Sequence, residues 1–269
     1  MKYPKPCIFC GQFGDKSREH FYPNWVASHV TQKQPAHHTL TTSTAKGFAP
    51  AQVTREVKRE GNLVTRKLRV VCRSCNNGWM SKLEETAKPI LLRGFSAQPF
   101  SFSQSEQDIL CRWACLKALV AENSEPELAT TPHADRRDFF ETQIPPPYFR
   151  IALGIHTTTF QTLCVRRAMT ISFSNVIQPP LLDGLIKNTQ LLTFIFGTLV
   201  FQVLAARVTK FNLLQDAAPP GLTVIYPSRG SPLVSSSLKL LTAEDLKVAL
   251  AALDIFIVRL QASYVENVI

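Results

Sequence analysis

The sequence predicts an α+β fold in two parts, a basic N-terminal module stapled by a metal ion and a separate α+β domain behind it. Three observations predict this. Two C-x-x-C pairs, Cys7/Cys10 and Cys72/Cys75, are separated by 61 residues. Residues 1–100 hold 16 Lys/Arg and 6 Asp/Glu, whereas residues 101–269 hold 14 of each, so the whole net charge of +10 sits in the first part. In the second part a capped helix, a run of strand-like segments and a final helix follow one another, the segregated pattern of an α+β domain.

The elements follow in chain order. Cys7-Ile-Phe-Cys10-Gly11 is a tight knuckle whose glycine permits a left-handed turn. Pro23 opens a short helix. Residues 31–52, rich in Thr, Ser, Gln and Ala, read as a loop insertion. The alternation over 53–71 predicts a two-stranded hairpin turning at Glu60-Gly61-Asn62. Trp79, Met80, Leu83 and Ala87 have helical spacing, so a helix starts close to Cys75 and finishes before Pro89. The pattern lapses across 89–99, which divides the chain into domains 1–95 and 101–269. Ser105-Glu-Gln-Asp108 reads as a capping box opening a helix to Glu122. Residues 133–142 form a short helix before Pro145-Pro146-Pro147. Strands are expected over 149–153, 169–173, 191–196 and 199–205. Thr242-Ala-Glu-Asp245 begins a final helix of roughly twenty residues with an apolar stripe.

Composition narrows the classes. With 45% hydrophobic and 19% charged residues in 269, the chain is no disordered segment. The longest apolar stretch, 191–206, is broken by Thr193, Gly197, Thr198 and Gln202, and is short of the ~18–20 residues that span a bilayer. The N-terminus has no apolar signal region, and no membrane partner is expected; the expected location is cytoplasmic. In a reducing compartment paired C-x-x-C spacing means metal more often than disulfide. Four thiolates suit a tetrahedral structural Zn²⁺, held by Cys7, Cys10, Cys72 and Cys75. Such an ion contributes much of the folding energy of a module with few apolar residues.

Three further features accompany the knuckles: Ser17-Arg-Glu-His20-Phe-Tyr-Pro-x-Trp25, Cys72-x-x-Cys-Asn-Asn-Gly-Trp-Met80, and a later helix with Arg112-Trp-Ala-Cys-Leu-Lys117. With its knuckles, the sequence over about 5–90 resembles the His-Asn-His (HNH) endonucleases, in their zinc-stapled branch. The resemblance implies a treble-clef-like ββα-metal fold and metal-dependent hydrolysis of DNA phosphodiesters. It implies that Glu19 and Asn76 bind a catalytic Mg²⁺ or Mn²⁺ while His20 takes a proton from the attacking water. A carboxylate and an amide leave most of the ion's positions to water and phosphate, which suits Mg²⁺, and an imidazole titrates near neutrality. The family's usual acid is Asp, one methylene shorter than Glu19.

Each residue also has a plainer account. A lone His after an acid is more often a surface residue, and Asn76 suits a helix N-cap. Trp25, Trp79 and Met80 are most simply core, and Cys111 and Cys115, one turn apart beside Trp113, read as buried thiols. Arg55, Lys58, Arg59, Arg66, Lys67, Arg69, Arg73 and Lys82 form either a solvated face or a set of phosphate contacts. DNA is the expected partner, bound with a steep salt dependence. A zinc-bearing nucleic-acid adaptor without hydrolytic activity is the rival reading, and targeting, regulation or a homo-oligomer interface is left to the second domain.

Overall fold

The computed structural model describes residues 5–31, 37–44, 52–60, 64–96, 98–170, 185, 187–207, 221–228 and 230–251. The first part contains β1 (Glu19–His20), β2 (His37–Thr44), β3 (Gln52–Glu60) and β4 (Lys67–Leu68). A helical segment follows, α1 (Arg73–Cys75), which passes through a π-type turn at Asn76–Met80 into α2 (Ser81–Leu91). The kink falls at Gly78 (φ −96°, ψ −109°).

Three expectations need correction here. β3 pairs with β2, Leu40 opposite Val57, and not with the segment after Asn62. The 31–52 stretch therefore holds a strand: its threonines are polar enough to suggest a loop, yet their branched Cβ favours extended backbone. β4 instead pairs antiparallel with β1, Glu19 opposite Leu68 and His20 opposite Lys67. The turn at Gly61-Asn62 lies outside the described residues. Finally, α2 runs through Pro89 to Leu91. Proline inside a helix costs about 3 kcal/mol. Ile90 and Leu91 are both buried, at ~1.5–3 kcal/mol each, which outweighs the lost bond.

The second part comprises β5 (Ser101–Phe102), α3 (Gln104–Glu122), α4 (His133–Thr142), β6 (Phe149–His156) and β7 (Thr162–Met169). Then come β8 (Thr189–Phe196), β9 (Leu199–Ala206), β10 (Thr223–Tyr226), β11 (Leu233–Val234), β12 (Leu240–Leu241) and α5 (Ala243–Leu250). The strand expected at 169–173 is not found among the described residues: β7 ends at Met169, Thr170 is outside any strand, and 171–173 lie outside the described residues. The capping box of α3 is formed by Ser103 and Glu106, two residues before the expected pair. That of α5 is Thr242 and Asp245, as expected, but the helix ends at Leu250 with Ala251 as its C-cap, 8 residues in place of the roughly twenty expected.

The main sheet runs β10-β6-β9-β8-β7, with β12 also paired to β6. Every residue of β8 and β9 is buried, because both faces of the sheet are covered. On one face lies α3, with Trp113 edge-on to Phe194, Phe196 and Phe201. The other face packs Ile195, Val200 and Ala152 against Leu246 and Ala249 of α5. A Gly197-Thr198 loop joins β8 to β9; Gly197 has φ +63°, as a type II′ hairpin requires at its first position. A Cβ there would lie 2.2 Å from the Gly94 carbonyl oxygen, so the hairpin tip rests directly on the chain leaving α2.

The expected separation of two domains is not seen in the packing. One buried cluster runs from Cys7, Phe21 and Met80 through Trp113 to Phe201 and Leu238. Tyr22 is fully buried and its hydroxyl shares its proton between the carbonyls of Leu163 (2.7 Å) and Ile195 (2.8 Å), on β7 and β8. Trp25 and Tyr22 pack on Phe196. Among the described residues no helix is long and apolar enough to cross a membrane.

Candidate metal centre and the Glu19–His20 site

The sulfurs of Cys7, Cys10, Cys72 and Cys75 all lie within 4.8 Å of one another, positioned to hold a metal ion. The Cys10–Cys72 separation is 3.7 Å, against about 3.8 Å between sulfurs of a tetrahedron with 2.3 Å metal–sulfur bonds. Backbone geometry builds the site. Gly11 takes the left-handed conformation (φ +72°) and its N–H bonds to the Cys7 carbonyl, closing the first knuckle. Cys72 is the N-cap of α1, its Sγ accepting from the Cys75 N–H at 3.4 Å. The Cys72 N–H in turn reaches Cys7 Sγ at 3.4 Å, so the two knuckles are joined by backbone as well as sulfur. The hydrogen bond between Cys75 and Cys7 lowers the Cys7 thiol below its ordinary value and drives the Cys75 thiol up.

The knuckles bring two distant segments together. Arg73 N–H bonds to the Asp15 carbonyl, Ser17 N–H to the Val71 carbonyl and Phe21 N–H to the Arg66 carbonyl. Residues 15–21 are thereby laid along 66–73. Asn76 donates from Nδ2 to Ser17 Oγ at 2.8 Å, two residues before Glu19. Its backbone is helical (φ −62°, ψ −52°), so Asn76 is no N-cap; Cys72 has that place. No described residue donates to Asn76 Oδ1.

Opposite residues of an antiparallel pair share a face and successive residues alternate. His20 and Lys67 are therefore on one face of β1/β4, and Glu19 and Leu68 on the other. Glu19 turns inward, 5% exposed, and meets Lys117 of α3, which is wholly buried. Lys117 Nζ donates to Glu19 Oε1 at 3.0 Å, to the His20 carbonyl at 3.2 Å and to Glu84 Oε1 of α2. Burial raises the Glu19 carboxyl above its usual value, with Lys117 opposing the rise. Desolvation works against the Lys117 ammonium, but Glu84 and Glu19 together outweigh it and hold the group charged. His20 is half-buried; burial first, then Lys67 and Lys117, lower its imidazole below the ordinary range.

Lys117 is the residue that reading the sequence for sites missed. A signal existed: it is the one charged residue in Trp113–Ala121, a run whose other members are apolar and buried. A lysine at such a place must have an acidic partner, though no local pattern says which.

Of the basic residues, Lys67, Arg69, Arg73 and Lys82 are exposed, while Arg66 is half-buried. Arg55, Lys58 and Arg59 are on β3, and their side chains lie outside the described residues. Trp79 packs edge-on to Phe9 (5.0 Å, 87°) and Met80 is buried, as expected of core. Cys111 and Cys115 are buried thiols, both pushed up by desolvation. No protein-family model, no curated protein and no solved structure matches this chain.

Proposed function

We propose that this protein is a zinc-stapled endonuclease that hydrolyses nucleic-acid phosphodiesters, DNA in the first instance, with His20 as the general base. The observation that carries the reading is the clamp: four sulfurs within 4.8 Å hold the strand bearing Glu19 and His20 against the helix bearing Asn76. Four cysteine sulfurs within 4.8 Å of one another are a donor set for zinc, whose role is to fix that geometry.

The chemistry is divided among the residues. Glu19 and Asn76 offer a carboxylate and an amide oxygen, the hard donors that Mg²⁺ or Mn²⁺ takes. Held there, such an ion supplies charge stabilisation for the phosphoryl oxygens. His20, on the opposite face of β1 from Glu19, accepts the proton of the attacking water. Lys67, which shares the His20 face, and the exposed Arg69, Arg73 and Lys82 bind flanking phosphates, with Arg55, Lys58, Arg59 and Arg66 extending the basic set.

A second reading has its own observation. Glu19 already bears a buried ammonium at Oε1, which favours a zinc-dependent nucleic-acid-binding protein without hydrolytic activity. Nicking of supercoiled DNA by the zinc-loaded chain in Mg²⁺ or Mn²⁺ separates the two. The hydrolytic reading expects His20→Ala to keep its zinc and its salt-dependent DNA affinity while losing ~10²–10⁴-fold in rate. Cys72→Ser is expected to lose zinc, structure and cutting together. A wild-type chain that binds DNA and leaves it intact, or a His20→Ala chain that cuts as well as wild type, refutes hydrolysis at this site.

A further inference from the structure

We infer that Lys117, supplied by α3 from outside the four-cysteine module, is a positioning residue of the Glu19–His20 site. The inference rests on the hydrolytic reading and deepens it: the second half of the chain completes the site.

An ammonium has three donors, and all three are used here. They go to Glu19 Oε1, the His20 carbonyl and Glu84 Oε1. Two of the three acceptors belong to the Glu19-His20 dipeptide, one on a side chain and one on the backbone. Lys117 thus fixes both the rotation of the carboxylate and the strand that presents the imidazole. Glu19 receives the ammonium on one oxygen, and no described residue donates to Oε2. Carboxylates that ligate a metal are commonly held in this manner, by a hydrogen-bonding partner on the oxygen that the ion does not use.

Charge makes the same point. A lone Glu19–Lys117 pair is neutral and has little attraction left for a cation. With Glu84 added, the ionised cluster is two carboxylates around one ammonium, net negative by one charge. A purely structural post in this place would not need an ion at all. The neighbours of Lys117 along α3 are apolar, and a buried ion pair is often no more stable than well-packed hydrophobic residues of similar volume.

The test uses the full zinc-loaded chain and two variants, Lys117→Met and Lys117→Met/Glu84→Gln. The double variant avoids leaving two buried carboxylates facing each other without a cation. Zinc content, Mn²⁺ affinity by titration calorimetry, and kcat and KM for nicking are measured on each. The expected result for the double variant is retained fold and zinc, unchanged KM for DNA, and Mn²⁺ affinity and kcat each lower by ~10–100-fold. Either variant showing wild-type Mn²⁺ affinity and kcat overturns the inference, because Lys117 then only offsets charge. A double variant that fails to fold also overturns it, making Lys117 a structural post. If the wild-type chain itself neither binds Mn²⁺ beyond its zinc nor nicks DNA, the hydrolytic reading fails first and takes this inference with it.

Discussion

Two buried carboxylates near α3, Glu19 and Glu122, are satisfied in opposite ways. Glu122 is wholly buried and both its oxygens are engaged. Oε2 accepts from the Thr130 N–H and hydroxyl, the Thr131 N–H and Gln190 Nε2, all at 3.1–3.2 Å, and Oε1 accepts from Arg136 at 3.2 Å. Four of these five donors are neutral dipoles from the loop before α4 and from β8. Glu19 has one donor, an ammonium, on one oxygen. A saturated carboxylate has no capacity for a further ligand and serves as a knot that ties α3, α4 and β8. A carboxylate with one bonded oxygen is held in place and still able to bind. Among the described residues Glu122 is thus a structural anion and Glu19 a carboxylate with a free oxygen, although both are buried, one at the end of α3 and the other against it.

The comparison can be broken by mutation. The largest expected effect is Glu122→Gln. It strips Arg136 of its counter-ion and aims an amide N–H₂ at donors, and removing one partner of a buried pair costs about 3–5 kcal/mol. The urea midpoint should fall sharply with zinc content unchanged; a midpoint near wild type would mean that Glu122 is not the knot described. Glu19→Gln comes next. Lys117 keeps Glu84, so about 1.5–3 kcal/mol is expected, the value of a hydrogen bond to a charged group. A loss as large as that of Glu122→Gln would erase the distinction between the two carboxylates.

The smallest effect is on pH dependence. His156 of β6 is buried, accepts at Nδ1 from the Thr158 N–H at 3.1 Å and donates from Nε2 to the Gly197 carbonyl at 3.0 Å. Burial lowers its folded-state value below the ordinary one. The sign follows from linkage: the unfolded chain takes up the proton first, so this contribution is complete above about pH 6.5 and is lost as pH falls below it. The urea midpoint of His156→Asn should vary less with pH over that window than that of wild type. Equal slopes would show that the imidazole makes no contribution to acid sensitivity.

Local signals were legible to the extent that short-range chemistry decides them. The helix over 133–142 is found at its expected bounds, since Pro132 and the following prolines bracket it. The capping box at Thr242 formed as read, while that of α3 shifted to Ser103 and Glu106. Here two overlapping S-x-x-acid patterns compete, and Glu106, the longer acid, also reaches Arg93 at 2.5 Å. The alternating strands were visible but their partners were not. β3 could pair on either side by pattern, and it pairs with a threonine-rich segment that polarity alone marks as loop.

Short-range chemistry and composition determined the two C-x-x-C knuckles, the knuckle glycine, the concentration of positive charge in the first hundred residues and the helices that end in clear caps. Each depends on residues within four positions of one another or on charge that composition counts. Tertiary structure decided which strand Glu19 and His20 lie against, how far α2 runs past Pro89, and that Lys117, 98 residues beyond Glu19, is its partner. Those outcomes turn on burial and desolvation between segments far apart in the chain. Desolvation depends on every neighbour at once, and no window of sequence contains them all.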